Sequence, residues 1–466
     1  MPAAIVNSIC YLTLFMILMI TPGCADHQQT WDRIIQSGEL RFATTAGPAT
    51  YYETPSGPAG FEYDLAKKFA EKIGVKLKLV TARNGFDVIS MIENNKAAIG
   101  GAALITSKVP ADLKFGPGYY SVPQQLIYRR GDIKPADLSE LQKTSLDISA
   151  EQVDILKNMY PHLSLTTYYD KDINTLLRMV QSREIKSTIA GSYLVNMYKH
   201  LYPDLRVAFN ITKPQPVAWV YNRNEVQLDK AITEFFSELD ESGELHRLIE
   251  RYFGHMITFD YIDTSTFLTR ISQRLPQYED QFKNIAEKYG LDWTLLAAMS
   301  YQESHWQAKA KSPTGVRGLM MLTKDTAEHL GVEDRTDPEQ SIDGGARYFT
   351  MLVEKMPARI PRPDLTWMAL AAYNVGLQHL EYARVFTQKN GGNPDSWSDV
   401  RKSLIQLGDE AAKNNIKTDV RWYEPVRYVR NIRKYRDILR WLNFENTKVA
   451  DKSDLLHVLS IDSPVL

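Results

Sequence analysis

Residues 293–306 read WTLLAAMSYQESHW, and this stretch decides the fold of the last third of the chain. Leu295, Met299 and Glu303 recur every fourth residue, which predicts one helix that carries all three on the face toward the core. Asp292 is a good N-cap for that helix. A carboxyl group on an apolar face loses solvation, so its pKa rises toward the range that a general acid needs near neutral pH. The spacing alone leaves open the alternative of a Glu at a frayed helix end that reaches water.

Further blocks with turn and helix signals follow this helix along the chain. KSPTGVRGLMML (311–322) is punctuated by glycines and too irregular to continue a helix, and SIDGG (341–345) is typical of a turn and helix start. LAAYNVG (370–376) and EPVRYV (424–429) lie further on. From Phe267 onward nearly every segment has helical periodicity, which predicts an all-α domain.

Four blocks, in their order and spacing, resemble the motifs of the lysozyme-like domain of soluble-type lytic transglycosylases: ESHW, GVRGLMML, AAYNVG and EPVRYV. The resemblance covers about Leu275 to Trp441. It departs at Met321, where the family has Gln, at Lys309 or its neighbours, where the family has Pro, and at Pro425, where the family has Thr. These departures concern substrate contacts more than the chemistry.

This resemblance implies cleavage of the β-1,4 bond between N-acetylmuramic acid (MurNAc) and N-acetylglucosamine (GlcNAc) in peptidoglycan glycan strands. The product is a 1,6-anhydro-MurNAc end, and no water is consumed. Glu303 would protonate the glycosidic oxygen and then take the proton of the C6 hydroxyl as that oxygen attacks C1. One carboxylate then suffices where ordinary glycosidases use a pair, because the internal hydroxyl is already held near the reacting carbon.

The same resemblance implies which side chains form the sugar groove: Ser312 and Thr314 as hydrogen-bond partners of the sugars, Met320 and Met321 as the floor, Tyr373 and Asn374 as the walls, and Tyr428 beside Glu303. Core packing or helix capping stays open as the alternative for each of them. A basic run follows in the last helix: Arg427, Arg430, Arg433, Lys434 and Arg436. It is predicted to be a solvated helix face, with contact to acidic stem peptides of the wall as the alternative.

The front of the chain alternates short apolar runs with helical periods, which predicts an α/β domain with mainly parallel sheets and a long helix over Val226–Phe253. Four segments resemble the family 3 solute-binding domains of the polar-amino-acid type: GELRFATT, GFEYDLAKKFAEKIG, AAIGGAALITSKVPADLKFGPGYY and EFFSELDESGELHRLIERYFG. The resemblance covers Trp31 to Gly254 and implies two lobes with a ligand cleft between them.

The predicted cleft lacks the groups that hold an amino acid. In the family, hydroxyl residues and an Arg clamp the ligand carboxylate and an acid holds the amino group, whereas the corresponding positions here are Ala102, Leu104, Val109 and Gly191. A larger wall-derived ligand, a stem peptide or muropeptide, is therefore the expected ligand and a possible regulator. The family places aromatic cleft residues where this chain has Tyr51 and Tyr52, and packing of a loop is the alternative role for both.

The N-terminus carries an apolar run, ICYLTLFMILMI (9–20), which is too short to span a bilayer and fits the core of a secretory signal. The Gly-Cys pair that ends at Cys24 resembles the lipobox of bacterial lipoproteins, although Thr21 and the lack of any Lys or Arg before Arg33 depart from it. The resemblance implies lipidation at Cys24 and, with Ala25 next to it, the periplasmic face of the outer membrane. An uncleaved anchor or a misassigned start is the alternative.

The chain of 466 residues has 55 Lys and Arg against 56 Asp and Glu, which excludes a generally basic nucleic-acid binder. No HExxH, Walker or dinucleotide motif is present, so no metal or other cofactor is expected. The order of the two domains resembles membrane-bound lytic murein transglycosylases; the alternative is a receptor ectodomain with an inactive lysozyme-like module. The predicted boundaries are a signal peptide at 1–23, a tether at 24–38, the binding domain at 39–254, a linker at 255–269, the transglycosylase domain at 270–446 and a tail at 447–466.

Overall fold

The computed structural model describes residues 30–47, 50–54, 57–104, 110–137, 145–149, 152–169, 171–254, 261–414 and 420–448. The predicted lipidation site Cys24 and the cleft position Val109 lie outside these residues, as do the side chains of Ala102 and Leu104. The predictions made for them are therefore not addressed by the structure.

The first lobe is built on a five-stranded sheet in the order β4-β1-β5-β12-β6. Its strands are β1 (Glu39–Thr45), β4 (Lys76–Ala82), β5 (Ile99–Leu104), β6 (Leu113–Val122) and β12 (Gln215–Asn222), beside a hairpin of β2 (Tyr52–Thr54) and β3 (Gly57–Ala59). In the part of the chain that the structure describes, five helices cover it: α1 (Thr30–Ser37), α2 (Phe61–Lys72), α3 (Gly85–Glu93), α7 (Val226–Glu241) and α8 (Glu244–Phe253). The repeat of Phe61, Leu65 and Phe69 points into its core, because all three are buried in α2.

In its described residues, the second lobe contains two small sheets and three helices. The antiparallel sheet has the order β10-β7-β11, and β8 pairs with β9 in parallel. The strands are β7 (Gln124–Arg129), β8 (Leu146–Ser149), β9 (Leu165–Tyr168), β10 (Ser187–Gly191) and β11 (Leu205–Asn210), and the helices are α4 (Val153–Met159), α5 (Ile173–Gln181) and α6 (Ser192–Tyr198). The chain passes from the first lobe to the second between β6 and β7 and returns between β11 and β12, so two crossings join the lobes.

The α/β class of this domain is confirmed, but the prediction of mainly parallel sheets is wrong. In the described part of the chain, β12 is antiparallel to both β5 and β6, and β7 is antiparallel to both β10 and β11. The sequence prediction missed β6 and β7, since Gly116-Pro117-Gly118 inside β6 is typical of a turn. The prediction of a single long helix over Val226–Phe253 is also wrong. The helix is interrupted at Gly243, where a φ of 68° changes the direction of the chain before α8 begins.

The predicted tether includes a helix that packs onto the first lobe. The backbone N–H of Thr30, at the start of α1, donates to Glu225 Oε1 at 2.8 Å, and Ile34 is buried. Residues 30–37 are therefore part of the folded domain, because the apolar side of α1 covers the lobe.

The last third is helical, as predicted. Its helices are α9 (Tyr261–Gln273), α10 (Glu279–Lys288), α11 (Trp293–Ser304), α12 (Lys324–His329), α13 (Pro338–Lys355), α14 (Asp364–Val375), α15 (Leu377–Lys389), α16 (Trp397–Lys413) and α17 (Tyr423–Lys448), with a 3-10 turn at Leu275–Gln277. The predicted linker at 255–269 is helical from Tyr261 onward, because Phe267 and Leu268 of α9 are buried in the core of this domain. None of the helices in the described part of the chain is long and apolar enough to cross a membrane.

The two domains contact each other through charged and aromatic side chains. Arg251 at the end of α8 pairs with Asp364 at the start of α14 at 2.5 Å, and Arg401 of α16 pairs with Glu250 at 2.9 Å. The Arg440 guanidinium lies 5.2 Å from the centre of the Tyr52 ring. The helical domain is therefore docked on the binding domain.

The prediction of a fully solvated basic face on α17 is wrong for three of its five residues. Arg427 and Arg430 are exposed, but Arg433, Lys434 and Arg436 are buried. Arg433 donates to the carbonyl oxygen of Arg251, and Lys434 pairs with Asp263 of α9. The prediction failed because α17 is 26 residues long and its middle is covered by both α9 and the other domain.

Candidate active site

Glu303 lies near the end of a helix that is enclosed by the rest of its domain. Asp292 caps α11 by accepting from the backbone N–H of Thr294 at 3.0 Å, as predicted. Every residue from Thr294 to Tyr301 is buried, so α11 is surrounded on all sides. Glu303 itself is half-buried.

The turn after Glu303 is fixed by backbone geometry and by a buried indole. His305 and Trp306 have φ values of 52° and 56°, in the left-handed region that few residues other than glycine adopt. Trp306 is buried, and its Nε1 donates to the carbonyl oxygen of Ala297 at 2.9 Å. The chain therefore leaves α11 at a fixed angle directly beside Glu303.

Two serines that the sequence prediction missed tie the glycine-punctuated loop 311–322 to α11. Ser300 and Ser304 both donate through Oγ to the carbonyl oxygen of Leu319, at 3.1 and 2.9 Å. The backbone N–H of Met320 donates to Ser341 Oγ at 3.2 Å. The ESHW and GLMM blocks thus lie side by side. The sequence did contain a signal for this contact: Ser300 lies one helical turn before Ser304, so both hydroxyls are on the same side of α11.

The structure contradicts the prediction that Met320 forms the floor of the groove. The Met320 side chain is fully buried and packs against Gly345, where an added Cβ would lie 2.6 Å from it. The glycine pair in α13 leaves the space that Met320 occupies in the core. Met321 is half-buried and has a φ of 47°, so of the two methionines it is the one left at the surface.

The electrostatics of Glu303 depend on burial and on one hydrogen bond. Burial raises the pKa of Glu303 from 4.5 to about 7, although the Tyr428 hydroxyl, which donates to its Oε1 at 2.6 Å, opposes that rise. Among the described residues, Tyr428 is the only hydrogen-bond partner of this carboxyl group. Glu303 therefore exists in both protonation states near neutral pH.

Tyrosine rings form one wall beside Glu303. Tyr373 and Tyr428 stack with their ring centres 6.5 Å apart, and Tyr348 packs against Tyr373 at 5.2 Å. The Tyr373 hydroxyl donates to the carbonyl oxygen of Met320 at 3.1 Å. Burial, with the nearby charge of Glu303, raises the pKa of both Tyr373 and Tyr428 well above 10, so both hydroxyls stay protonated as donors.

The other predicted groove residues are not hydrogen-bonded to Glu303 in the described part of the chain. Ser312 and Thr314 lie in a surface turn, where their hydroxyl oxygens are 2.8 Å apart, and Ser312 Oγ also accepts from the backbone N–H of Val316. Asn374 is exposed near the end of α14. No hydrogen bond joins these three side chains to Glu303 in the described part of the chain.

Tyr51 and Tyr52 both have partners of their own. The Tyr51 hydroxyl donates to Glu53, while Tyr52 lies under the guanidinium of Arg440. Gly191, one of the positions expected to lack an acid, is buried, and an added Cβ would lie 2.9 Å from Val122 Cγ1. Residues 30–448, within the described ranges, contain no cluster of three or more His, Cys, Asp or Glu side chains that could hold a metal ion.

Comparisons with known proteins match both halves of the chain. The family of bacterial extracellular solute-binding proteins, family 3, matches residues 40–255, and the transglycosylase SLT domain matches residues 280–394. The chain is similar to membrane-bound lytic murein transglycosylase F of Erwinia tasmaniensis, with 40% identity over 95% of this chain and 92% of that protein. It is also similar to the protein of the same name from Hahella chejuensis, with 39% identity over 96% of this chain and 91% of that protein.

A solved structure is similar to the front half alone. A mutant of ArgBP from T. maritima superposes with a TM-score of 0.43 and 22% identity, over 48% of this chain and 98% of that chain.

Proposed function

Because this chain belongs to the family of membrane-bound lytic murein transglycosylase F, we propose that Glu303 is the acid and base with which it cleaves peptidoglycan. The chain is a peptidoglycan lytic transglycosylase with a solute-binding domain before its catalytic domain. That function is favoured over a receptor ectodomain with an inactive module. The observation that supports Glu303 is its pKa of about 7 in a half-buried position beside the Tyr428 hydroxyl.

The proposed reaction needs two proton transfers at one carboxyl group. Protonated Glu303 donates to the oxygen that links MurNAc C1 to GlcNAc, and the C1–O bond breaks. The C6 hydroxyl oxygen of the same MurNAc then bonds to C1, and its proton passes to the Glu303 carboxylate. Atoms balance without water, and Glu303 ends in the protonation state in which it began.

Tyr428 supports the first of these transfers. Its hydroxyl donates to Glu303 Oε1, so it stabilises the carboxylate that exists between the two proton transfers. Its stacking on Tyr373, which is in turn bonded to the Met320 backbone, holds that hydroxyl in place. Tyr428 is thus a positioning residue for Glu303.

A Tyr428→Phe variant is expected to shift the pH profile of the enzyme. Glu303 must be protonated to start the reaction, so kcat/KM should fall as the pH rises through about 7. Loss of the hydroxyl removes a contact that favours the carboxylate, so the pKa of Glu303 should rise and the alkaline limb should move to higher pH. The profile is measured by muropeptide release from purified sacculi between about pH 5 and pH 9.

Tyr423→Phe is the matched control, because Tyr423 starts the same helix and its hydroxyl bonds to Asp409 on the surface. Its profile should equal that of the wild type. An unchanged alkaline limb in Tyr428→Phe would contradict the role given to the Tyr428–Glu303 contact.

For the front domain we infer a non-catalytic role in binding wall fragments and regulating the enzyme. Arg251 of this domain contacts Asp64 of its first lobe at 3.7 Å and Asp364 of the catalytic domain at 2.5 Å. Asp364 begins α14, and the other end of α14 carries Tyr373. A ligand that moves α8 would therefore act on the wall of the active site through α14.

Single free amino acids should not bind tightly to the front domain. Gly191 offers no charge for the amino group of a zwitterion, and Ala102, Leu104 and Val109 offer none for its carboxylate. Each unpaired end costs about 1–3 kcal/mol, or roughly tenfold to hundredfold in affinity. Calorimetric titration of the full-length protein with Gln, Arg or His is expected to show no micromolar binding, and such binding would defeat this expectation.

The attachment to the membrane is proposed to be a lipid on Cys24, with the outer membrane as destination. A Cys24→Ala variant should move from the membrane fraction to the soluble periplasmic fraction, because a lipid chain supplies the apolar surface that holds the protein there. Fractionation of cells followed by immunoblotting measures this. Cys10→Ala should stay at the membrane, and a Cys24→Ala protein that stays there too would favour an uncleaved apolar anchor.

A further inference from the structure

A cavity of about 840 Å³ lies where the two domains meet. Its walls come from the first lobe at Tyr52 and Tyr63, from the second lobe at His200, and from the catalytic domain at Trp367 and Arg436. Gly191, in the predicted amino-acid cleft, is not among the described residues of its lining. The volume lies in the range of small-molecule sites, so a ligand of moderate size fits.

The lining of the cavity carries an excess of positive charge. Among the described residues, seven cationic side chains line it against four carboxylates. Asp263 and Asp364, which pair with two of these cations from just outside, reduce the excess without removing it. The whole chain, in contrast, has a net charge of −1. The surplus of positive charge is therefore a local property of this cavity.

Two guanidinium groups share one indole ring in the wall. Arg433 and Arg436 lie 4.8 and 4.5 Å from the ring of Trp367. Burial lowers the pKa of Arg433 to about 10, with a further contribution from the charge of Arg436, and the nearby Asp437 and Asp364 do not compensate. Arg436 already pairs with Asp437 at 2.8 Å, and a bound anion would further stabilise two like charges held this close in a buried place.

Hydrogen-bond donors in the wall point to the same kind of occupant. Arg251 Nε, Trp367 Nε1 and Thr350 Oγ1 are buried and have no hydrogen-bond partner in the described part of the chain. Among the described lining residues, no side-chain carboxylate or amide oxygen is both buried and without a hydrogen-bond partner. Buried donors usually have acceptors, so the wall lacks acceptors that a ligand would bring.

We propose that this cavity is a binding site for a small anion that carries at least two carboxylate groups, with Arg436 and Trp367 as its anchors. Carboxylates supply both the negative charge and the acceptor oxygens that the walls lack. Because the walls come from both domains, the bound anion connects them. The site is additional to the catalytic groove, and it shares Tyr51 and Tyr52 with the cleft predicted between the lobes.

The test uses the purified full-length protein and two dipeptides of the same shape. Glutamyl-glutamate brings the carboxylates, and glutaminyl-glutamine is its uncharged counterpart. Calorimetry at constant ionic strength is expected to show saturable binding of glutamyl-glutamate at one site, and binding of the uncharged dipeptide that is at least about tenfold weaker. Equal binding of the two, or saturable binding of neither, would overturn the proposal.

Two variants and one control locate the binding. Arg436→Gln is expected to weaken glutamyl-glutamate binding about tenfold or more, and Trp367→Phe, which keeps a ring and removes Nε1, several-fold. Arg430→Gln lies on the exposed side of the same helix and should bind as the wild type does. If Arg436→Gln fails to fold, the affinity of Trp367→Phe for glutamyl-glutamate decides whether the dipeptide binds in this cavity. Unchanged affinity in the folded variants would place the dipeptide elsewhere and overturn the assignment.

Discussion

Glu303→Gln is expected to abolish the release of anhydro-muropeptides, with a loss of at least about a thousandfold. The amide can neither give a proton to the glycosidic oxygen nor take one from the C6 hydroxyl, so both transfers fail. Mass spectrometry of digests of purified sacculi measures the loss. Glu354→Gln changes an exposed carboxyl group of the same domain and should leave the rate unchanged.

The same variant should be more stable than the wild type, and only at high pH. The pKa of Glu303 is about 7 in the folded protein against 4.5 for an ordinary Glu, so the folded state resists ionisation. Stability from this group is present below pH 4.5 and is lost as the pH rises toward 7, by up to about 3 kcal/mol. Urea unfolding at pH 8 should therefore favour Glu303→Gln, whereas the two proteins should be alike at pH 4.

Stability and activity must be measured on the same preparations. A stable, inactive Glu303→Gln assigns the loss to chemistry. Substantial lytic activity in the pure variant would remove Glu303 from the mechanism.

Gly318→Ala has the second-largest expected effect, on folding. Gly318 has a φ of 85°, and an added Cβ would lie 1.7 Å from the carbonyl oxygen of Arg335. The backbone must shift, which is expected to cost about 3 kcal/mol or more of the free energy of unfolding. Leu319 is the next residue, so its hydrogen bonds with Ser300 and Ser304 should loosen and activity should fall as well.

Gly315→Ala separates the clash from the backbone strain. Gly315 has a φ of 87°, but nothing lies within 4 Å of an added Cβ. This variant should lose only about 1–2 kcal/mol, the cost of the left-handed conformation. Thermal and urea unfolding of both variants provide the comparison. Equal stability of the two would show that loop 311–322 is not confined as the structure places it.

The sequence predicts the local part of the candidate site well. The Asp292 cap, the helix after it and the position of Glu303 on the Leu295–Met299 face are all seen, because each depends on residues only a few positions apart. The contact between Tyr428 and Glu303 spans 125 residues, and only the resemblance to a known family suggested it. Spacing along a chain carries no information about such a contact.

The errors have a common physical origin in packing between distant elements. Met320 was placed in the groove by the resemblance to a known family, whereas Gly345 of α13 makes room for it in the core. Arg433 and Arg436 were placed in water because they are charged, whereas Trp367 of α14 and the front domain cover them. To place each of these side chains correctly, one must know the surface against which it packs, and no local sequence pattern contains that information.

In the proposed reaction, one carboxyl group suffices because the sugar's own C6 hydroxyl replaces water. Digestion of purified sacculi in water labelled with heavy oxygen, followed by mass spectrometry of the products, tests it most directly. We expect 1,6-anhydro-MurNAc ends without any heavy oxygen. Reducing MurNAc ends that carry the label would contradict it, because they would show that water attacks C1.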